Sequence, residues 1–436
     1  MAQPHAFLIL LSVLLPSVTS KMAQREVRHC KYPSAGSCKQ KCDIHENCKM
    51  SCPNLNKPCD QLCENGPCDM SCVTQDGCYQ EQWCDIFAPQ TCGTVRCTTT
   101  NCTQACDDGA CNLTCQARSH CKQSCQDGSC KMRCPNGRHC DQDCIGGNCQ
   151  ALCKAKERCV QNCFEGRCPM RCVSDQCQQS CQMGECSLKC RTINDCEQQC
   201  SSDCPLVSCR SKEGSCKQLG FGGRKMIMRA KTIGYQECHG GNCQQKCTTD
   251  LRCYQHCGGS CNQECNTGKI CYQYCTIDGS CDQVCNSNKC VQKCGQGRNC
   301  NMTCRAMWQC EQQCPQGGCQ GVCNSPSCFQ LCDLGGCSFE CNGPHCHQNC
   351  SGGGCTLSCP LGAKSCVQHC PAQNCSITRT TAEENGYFMA KSSSDDNGIL
   401  FNRFKKTANH GSVWLPFSLN FMNAIAFYAV WVVLTY

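Results

Sequence analysis

Pairs of cysteines separated by three residues recur along most of this chain, and they constrain its fold more than any other feature. Between Cys102 and Cys200 four or five residues lie between one pair and the next. The central residue of each pair alternates between glutamine and a mostly apolar residue, so the repeat unit is two pairs. Glutamine-centred pairs begin 18 or 19 residues apart, and a fixed period of this kind indicates a repeat architecture. The central residues are Gln104, Leu113, Gln123, Met132, Gln142, Ala151, Gln161, Met170, Gln179, Leu188 and Gln198.

Disulfide bonds have to supply much of the restraint on this chain. It contains 68 cysteines in 436 residues, a content typical of disulfide scaffolds. Ordering one residue costs roughly 1–2 kcal/mol of backbone entropy, and one disulfide contributes about 2–4 kcal/mol. We therefore expect an unfolded chain without oxidation. The spacing predicts disulfides, with partners left open, for cysteines that include Cys102, Cys106, Cys111, Cys115, Cys121, Cys125, Cys130 and Cys134.

The first twenty residues indicate secretion. Residues 6–15 form a ten-residue apolar run, and small residues precede a cleavage position after Ser20. A membrane anchor is disfavoured because ten residues are too few to cross a hydrocarbon core of about 30 Å. An oxidising, extracellular compartment also suits the cysteine content.

The distribution of cysteine divides the remaining chain. A basic, cysteine-free stretch interrupts the array, and we interpret it as a linker or a long loop. A polar segment without cysteine follows the array and reads as a flexible stalk. The predicted segments are a signal peptide 1–20, a first repeat array 21–216, the basic linker or loop 217–237, a second array 238–375, the stalk 376–412 and a hydrophobic C-terminal segment 413–436.

The hydrophobic C-terminal segment predicts membrane attachment. No basic residue follows position 413, whereas Arg403, Lys405 and Lys406 precede it. This arrangement runs against a stop-transfer helix, which keeps its positive residues in the cytoplasm. An apolar tail behind a polar spacer is typical of a glycosylphosphatidylinositol attachment signal. A single membrane span and a buried tail are the alternatives.

The spacing of each cysteine pair favours short strands. In a strand, the two cysteines and the central residue point to one face. The two cysteines then lie about 13 Å apart, beyond the reach of about 7 Å for a disulfide, so each must bond to another segment. On one helical turn they would lie about 6 Å apart, and a local bridge becomes possible. Glycine-rich turns, such as 352–354, favour strands.

These observations predict a disulfide-rich, all-β repeat protein with little conventional core. A coil of about 19 residues with two short strands would stack glutamine on glutamine and apolar residue on apolar residue. We expect an elongated, disulfide-laddered solenoid or an array of hairpins, with a string of small knots as a further alternative.

The residue pattern gives no support to metal, cofactor or catalytic chemistry. Metal-binding thiolates generally occur as C-x-C or C-x2-C, and the shortest cysteine spacing here is i to i+4. His345 and His347 resemble a ligand pair, but a solvated surface is the simpler interpretation. No catalytic signature is found, so we expect no enzymatic activity and no cofactor. A net charge of +7 and 6% aromatic residues give no basis for nucleic-acid binding.

Five sequons mark candidate glycosylation sites. Three of them have cysteine in the middle position, which is a poorer acceptor context once the cysteine is paired. Asn112 and Asn301 are therefore the stronger candidates. The remaining three are Asn101, Asn349 and Asn374.

Two surface features suggest contacts. The basic stretch 217–237 contains Arg224 and Lys225, which suit a proteolytic processing site, a contact to an anionic polysaccharide, or a solvated loop. Tyr254, Tyr272 and Tyr274 form a small aromatic group on consecutive repeats. Such residues are more often ordinary surface than a recognition site.

Regularly spaced cysteine pairs on a background of glutamine and glycine resemble the cysteine-rich repeat proteins of cnidarian extracellular matrices, such as the coral skeletal organic matrix proteins. The likeness covers residues 30–375. Galaxin-type members carry adjacent cysteine pairs, which this chain lacks. The resemblance implies a structural extracellular protein, a glycoprotein of a matrix or cell coat with a link to biomineralisation.

Two other functions remain open at this stage. One is a membrane-attached cell-surface protein that uses the repeat face to bind a ligand. The other is a secreted inhibitor or defence precursor, which would be cleaved at the basic stretch. The expected partners are matrix components or a cell-surface ligand, together with the membrane at the C-terminal segment.

Overall fold

The computed structural model of the chain describes residues 27–29, 37–42 and 48–379, apart from 65, 85–91, 108–109, 128, 222–224, 277–278, 297–298 and 373. The described residues form strands, turns and bends, and none of them is helical. Accordingly, they include no helix of the length and apolarity needed to cross a bilayer. The predicted signal peptide 1–20, almost all of the predicted stalk and the hydrophobic segment 413–436 lie outside the described residues.

Each strand follows from the alternation of its sequence. In Cys196–Cys200, for example, the two cysteines and the central Gln198 are buried, while Glu197 and Gln199 are exposed. The strands are β1 (Val27–His29), β2 (Cys38–Cys42), β3 (Lys49–Leu55), β4 (Cys59–Cys63), β5 (Asp69–Thr74), β6 (Gly77–Trp83), β7 (Thr94–Thr98), β8 (Asn101–Asp107), β9 (Asn112–Cys115), β10 (His120–Gln126), β11 (Lys131–Cys134), β12 (His139–Ile145), β13 (Gln150–Lys154), β14 (Arg158–Cys163), β15 (Pro169–Ser174), β16 (Gln176–Cys181), β17 (Ser187–Thr192), β18 (Cys196–Cys200), β19 (Leu206–Ser211), β20 (Cys216–Gly220), β21 (Lys225–Ala230), β22 (Ile233–Cys238), β23 (Cys243–Thr249), β24 (Arg252–Cys257), β25 (Cys261–Thr267), β26 (Ile270–Cys275), β27 (Cys281–Cys294), β28 (Asn301–Cys314), β29 (Gln320–Asn324), β30 (Ser327–Cys332), β31 (Ser338–Cys341), β32 (His345–Cys350), β33 (Thr356–Cys359), β34 (Ser365–His369) and β35 (Ser376–Arg379).

The strands stack as a parallel solenoid. A strand generally pairs, parallel and in register, with the strand two places along the chain, so that Gln123 of β10 lies beside Gln142 of β12. The long strands β27 and β28 turn a corner and contribute to both faces. A hairpin array would instead pair consecutive strands in antiparallel fashion. The predicted disulfide-laddered solenoid of about 19-residue coils is therefore confirmed, and the hairpin array is wrong.

One face of the solenoid, which we call the glutamine sheet, carries an unbroken row of buried glutamines. The Nε2 group of each glutamine donates a hydrogen bond of 2.7–3.0 Å to the Oε1 atom of the glutamine in the preceding coil. We call this row the glutamine ladder. It comprises Gln40, Gln61, Gln80, Gln104, Gln123, Gln142, Gln161, Gln179, Gln198, Gln218, Gln236, Gln255, Gln273, Gln292, Gln312, Gln330, Gln348 and Gln368.

The glutamine ladder also ties the two faces together. Gln161, for example, donates to the backbone carbonyl of Ala151 at 3.0 Å, on the opposite sheet. Gln312 donates in the same way to Met302 at 2.9 Å. Because buried polar groups are costly when unpaired, each glutamine specifies both its neighbour along the ladder and the strand it faces.

The other face, the apolar sheet, stacks mostly apolar central residues. The degenerate stretch of the sequence resolves here, because Gln245, Gln263 and Gln283 occupy apolar-sheet positions and hydrogen-bond to one another. Where Gly321 occupies a central position, Phe339 of the next coil fills the space, with a ring carbon 2.8 Å from the position of a Cβ at Gly321. The alternation of sheets therefore persists where the alternation of residue types fails.

Disulfides close the solenoid at both corners. Most join the last cysteine of one strand to the next cysteine along the chain, across the corner, as in Cys144–Cys149, Cys153–Cys159 and Cys163–Cys168. Cys285–Cys290 and Cys304–Cys310 instead lie within the long strands β27 and β28, which turn a corner themselves. Bonded cysteines are 4 to 8 residues apart in sequence. In the chain-entropy view, a loop this short contributes about 2 kcal/mol. The bonds form two stacks, one at each corner, on either side of the glutamine ladder.

The interpretation of 217–237 as a linker or loop is wrong for the part that the structure describes. This stretch continues both sheets as the end of β20, β21 and β22. Met228 lies in register with Cys209 and Cys247, at a position that other coils give to cysteine. Gly234 replaces the partner cysteine, and the Met228 side chain occupies the space between the two strands. The repeat array is consequently continuous through this coil.

Glycines shape the corners. Gly317 and Gly335 have φ angles of +78° and +86°, which favour glycine. Their backbones also pack against the next coil, since a Cβ on Gly317 would lie 2.1 Å from the carbonyl oxygen of Gly335. Side chains are thus excluded from this corner, and the coils stack at the spacing that the strands require.

Candidate functional site

The interior positions are occupied by disulfides, glutamines and apolar side chains. The side chains able to meet a partner therefore lie on the outer positions of the strands and at the corners.

Seven of the eight cysteines named in advance form disulfides in the structure. Each bond crosses a corner between consecutive strands. Cys134 differs from the prediction, because Cys134 and Cys140 are free, buried thiols. The Cys134 thiol lies 4.0 Å from the backbone carbonyl of Asn136, to which it donates, and burial raises the pKa of the Cys140 thiol. The four bonds are Cys97–Cys102, Cys106–Cys111, Cys115–Cys121 and Cys125–Cys130.

The cysteines and histidines considered for metal binding differ in their surroundings. Groups of cysteine sulfurs lie within 4.8 Å of one another, such as those of Cys84, Cys92, Cys106 and Cys111. These four cysteines are consumed by two disulfides and offer no thiolate. His345 and His347 both lie exposed on β32. The His347 ring lies beside Phe329, with centroids 6.0 Å apart.

The five sequon asparagines differ in their surroundings. Asn101, Asn112 and Asn301 are exposed at the starts of strands. Asn301 donates to the Asp282 carboxylate at 2.8 Å. The amide oxygen of Asn349 is buried without a partner in the described structure. Asn374 is exposed near the end of the solenoid.

A groove of about 970 Å³ runs along one corner of the solenoid, where the strands of the apolar sheet end. We call it the cationic groove. It crosses successive coils from β13 to β23, and two aspartates, Asp175 and Asp250, also line it. Its cations are Lys154, Lys156, Arg191, Arg210, Lys212, Arg229 and Lys231.

Register places like charges on top of one another in the cationic groove. Arg191 lies beside Arg210, and Arg210 lies beside Arg229. Neighbouring strands are about 4.8 Å apart. Two unit charges at this distance repel by about 1 kcal/mol in water, and like charges on adjacent strands are destabilising. The row therefore carries a cost that an anion would relieve.

Small buried residues separate two rows of cations. After each arginine of the first row comes an inward-facing residue, which is Thr192, Ser211 or Ala230 in successive coils. Lys212 and Lys231 follow these residues and point outward again. The short side chains form the floor of the groove, and the longer cations form its walls.

The groove cations are unneutralised within the described part of the chain. With seven cationic and two acidic side chains, the groove has a net charge of +5, against +7 for the whole chain. None of the seven forms an ion pair with a described carboxylate. Elsewhere on the solenoid, Lys217 pairs with Glu197 at 2.9 Å and Lys246 pairs with Glu264 at 2.8 Å.

The basic stretch recognised in the sequence contributes only part of the groove. Of the basic stretch 217–237, Arg229 and Lys231 belong to it, whereas Arg224 lies outside the described residues. A signal was present, because two outward-facing cations flank one small, inward-facing residue at the end of a strand at positions 154–156, 210–212 and 229–231. These segments are about 19 residues or a multiple of that distance apart, so they become neighbours only after coiling.

The aromatic group named from the sequence does come together on the glutamine sheet. Tyr254 and Tyr272 stack with ring centroids 5.0 Å apart and planes 2° apart. Tyr274 stacks on His256 at 5.4 Å, with the Lys293 ammonium 5.6 Å from the Tyr274 ring centroid. Each ring of a stacked pair covers one face of its partner, and that face is then closed to a sugar ring. These contacts stabilise neighbouring strands.

The fold and its oxidised cysteines define the class of protein as a disulfide-laddered parallel β-solenoid. No family model, no curated protein and no solved structure matches the chain. Disulfides of this number suggest an extracellular, secreted protein, and the solenoid is compatible with a structural extracellular role.

Proposed function

We propose that the protein is a structural component of an extracellular matrix or cell coat. The observation that carries this proposal is the combination of a disulfide stack at each corner with a continuous glutamine ladder between them. The pattern repeats coil by coil, so the chain supplies a cross-linked element rather than a single cavity for a substrate.

Such an element resists local opening. Releasing one strand requires breaking its parallel pairing on two sides, while the corner disulfides keep both of its ends close. Local opening is the step that exposes backbone to proteases. A matrix component benefits from this resistance, and the disulfides maintain it in an oxidising compartment.

We further propose that the hydrophobic segment 413–436 attaches the protein to the cell surface, by a lipid anchor or by a single span. The resemblance to cnidarian matrix proteins supports a matrix setting and a mineral association. Matrix components are the partners we propose, and we propose no enzymatic activity.

Fractionation of the native tissue tests this function. Peptides from 48–379 should be recovered from insoluble matrix and released by reductant or demineralisation. Recovery in membranes, followed by release of the intact chain with a phosphatidylinositol-specific phospholipase, would support the lipid anchor. Recovery as freely diffusing fragments cleaved near the basic stretch would contradict the structural role.

A cell-surface binding protein is the second candidate function. The specific observation in its favour is the cationic groove, whose unpaired charges repeat over several coils. The solenoid would then hold this row rigid and display it outside the cell.

A further inference from the structure

We propose that the cationic groove binds a linear sulfated polysaccharide, which lies along the solenoid axis. The inference takes its extracellular setting from the proposed function. It does not require a matrix role, because a surface-attached protein would present the same groove.

The spacing of the cations suits a linear polyanion. Arg191, Arg210 and Arg229 lie on consecutive strands of the apolar sheet, and consecutive strands are about 4.8 Å apart. With Lys154 in β13 the row covers four such steps, roughly 19 Å, and uncharged Val173 occupies its position in β15. A sulfated polysaccharide carries anionic groups along its length, so one chain meets several of these cations at once.

Arginine provides the geometry that sulfate requires. The guanidinium fork binds two oxygens of one anion and keeps its charge at any physiological pH. Lys212 and Lys231 form the second wall, across the floor of small residues. In the coils of Arg210 and Arg229, a chain that lies on this floor therefore has cations on both sides.

The absence of internal neutralisation favours an external anion. On other coils of the described solenoid, some outward cations meet acids of a neighbouring coil, as in Arg167 with Glu185 at 3.1 Å. The groove cations lack such partners and repel one another. An anionic chain supplies the missing counter-charge without a new conformation.

Other polyanions fit less well. The groove lining contains no aromatic side chain on which an unstacked nucleobase would rest. An acidic polypeptide offers carboxylates, but it loses conformational entropy when it becomes straight and ordered on binding. A polysaccharide chain is stiffer and presents its charges at regular intervals.

The test measures binding of the full-length, oxidised protein to immobilised heparin, used as a sulfated probe. The variant Arg191→Gln/Arg210→Gln/Arg229→Gln removes the first row. Its matched control is Lys39→Gln/Arg96→Gln/Lys122→Gln, which removes three exposed charges from separate strands.

We expect the groove variant to raise the Kd about tenfold or more at physiological salt, and the control to change it less than about threefold. The slope of log Kd against log salt should fall in the groove variant, because each lost contact releases fewer counterions, and it should stay unchanged in the control. Equal losses in the two variants would show that the binding reflects net charge alone and would overturn the proposal.

Competition experiments separate the possible ligands. Heparin fragments should compete better as their length increases, until they span the groove. Inorganic sulfate at the same sulfate concentration should not compete. Efficient competition by inorganic sulfate would replace the polymer site with a free-anion site. Equal competition by single-stranded polynucleotide would contradict the choice of polysaccharide.

Protease resistance checks that the variants fold. All three forms should show the same resistance to protease, since the substituted side chains are exposed. A groove variant that binds like the native protein overturns the inference while leaving the tissue fractionation result intact.

Discussion

Met228 fills the space in which neighbouring coils hold a disulfide, and Gly234 leaves room for it. A Cβ placed on Gly234 would lie 2.5 Å from the Met228 sulfur and 2.6 Å from the sulfur of Cys247. The coils on either side have Cys209–Cys216 and Cys247–Cys253 at the same corner. One coil thus replaces a covalent bond by packing, and the solenoid continues.

This relationship predicts that Gly234→Ala destabilises its coil. The added methyl group overpacks a filled space, at a cost of about 1–3 kcal/mol. Hydrogen exchange of peptides from β21 and β22 measures the free energy of local opening. Gly77→Ala is the control, because a Cβ there meets only an ordinary contact at 3.5 Å. Equal exchange in the two variants would contradict the packing described.

The same corner should accept a disulfide. Met228→Cys combined with Gly234→Cys places cysteines in register with the bonded cysteines of both neighbouring coils. We expect one additional disulfide in the intact mass of the non-reduced protein. Two alkylatable new thiols in the denatured protein would show that this coil does not follow the repeat.

The glutamine ladder predicts a large cost for a substitution of similar size. Gln161→Leu removes the hydrogen bonds of 2.7 Å that join Gln161 to Gln142 and Gln179. It leaves the buried Oε1 atom of Gln142 without a donor and one N–H of the buried Gln179 amide without an acceptor, although Gln179 still donates to the Lys189 carbonyl. An unpaired buried polar group costs about 1–3 kcal/mol. Hydrogen exchange around β12, β14 and β16 should accelerate accordingly.

The control for the ladder is Met170→Leu, in the facing apolar sheet. A volume-conserving swap of this kind costs less than about 1.5 kcal/mol. If hydrogen exchange were no faster in Gln161→Leu than in Met170→Leu, the buried glutamines would stabilise the coil by packing alone and not by their hydrogen bonds.

The sequence was sufficient to predict the repeating two-strand coil, but not the residues that fill every coil or the partners of its disulfides. The alternation of Gln104, Leu113 and Gln123 gave the two-strand unit, because a period of two within strands and a period of about 19 between them leave few arrangements. The reach of a disulfide also required bonds between strands. The reach of a disulfide did not decide whether a cysteine bonds to the preceding or to the following strand, since the gaps at the two corners are nearly equal in length.

The misjudged features have a common physical cause. Cysteine was the marker of the repeat, so a coil with Met228 and Gly234 in place of cysteine looked like a linker, although its volume and register are conserved. The cationic groove was missed because Arg191 and Arg210 are neighbours only through coiling. Both features become visible when the coils are aligned by the register of their strands rather than by the positions of their cysteines.

Cys134 and Cys140 should react with an alkylating reagent after denaturation, unlike the disulfide-bonded cysteines. Both thiols are buried, and burial raises the pKa of the Cys140 thiol, so the thiolate is disfavoured in the native protein. Iodoacetamide should label them slowly in native protein and rapidly in denaturant without reductant. Peptide mass spectrometry identifies the positions. No labelling in denaturant would mean that a bond joins them.

The surroundings of Tyr79 predict that the stability of the folded protein depends on pH in the alkaline range. Its hydroxyl donates to the Glu81 carboxylate at 2.7 Å, and this hydrogen bond, with burial, raises the pKa of Tyr79 to about 12, compared with about 10 for free tyrosine. The folded state holds this proton more tightly than the unfolded state. The resulting stability is present below pH 10 and is lost as the pH rises from about 10 to about 12.

An ultraviolet titration of tyrosine ionisation checks this prediction. Tyr79→Phe should remove a transition near pH 12. Glu81→Gln should move that transition toward pH 10, because the carboxylate is then absent. A titration curve that Glu81→Gln leaves unchanged would contradict the assigned cause.

Non-reducing peptide mapping tests the corner-linked solenoid most directly. Trypsin cleaves after Arg171 and Lys189, and no lysine or arginine lies between Cys172 and Lys189. The disulfides Cys172–Cys177 and Cys181–Cys186 lie within this peptide. The solenoid therefore predicts that 172–189 is released alone, with two internal bonds. Attachment of 172–189 to the peptides before and after it, through bonds within each cysteine pair, would contradict the fold.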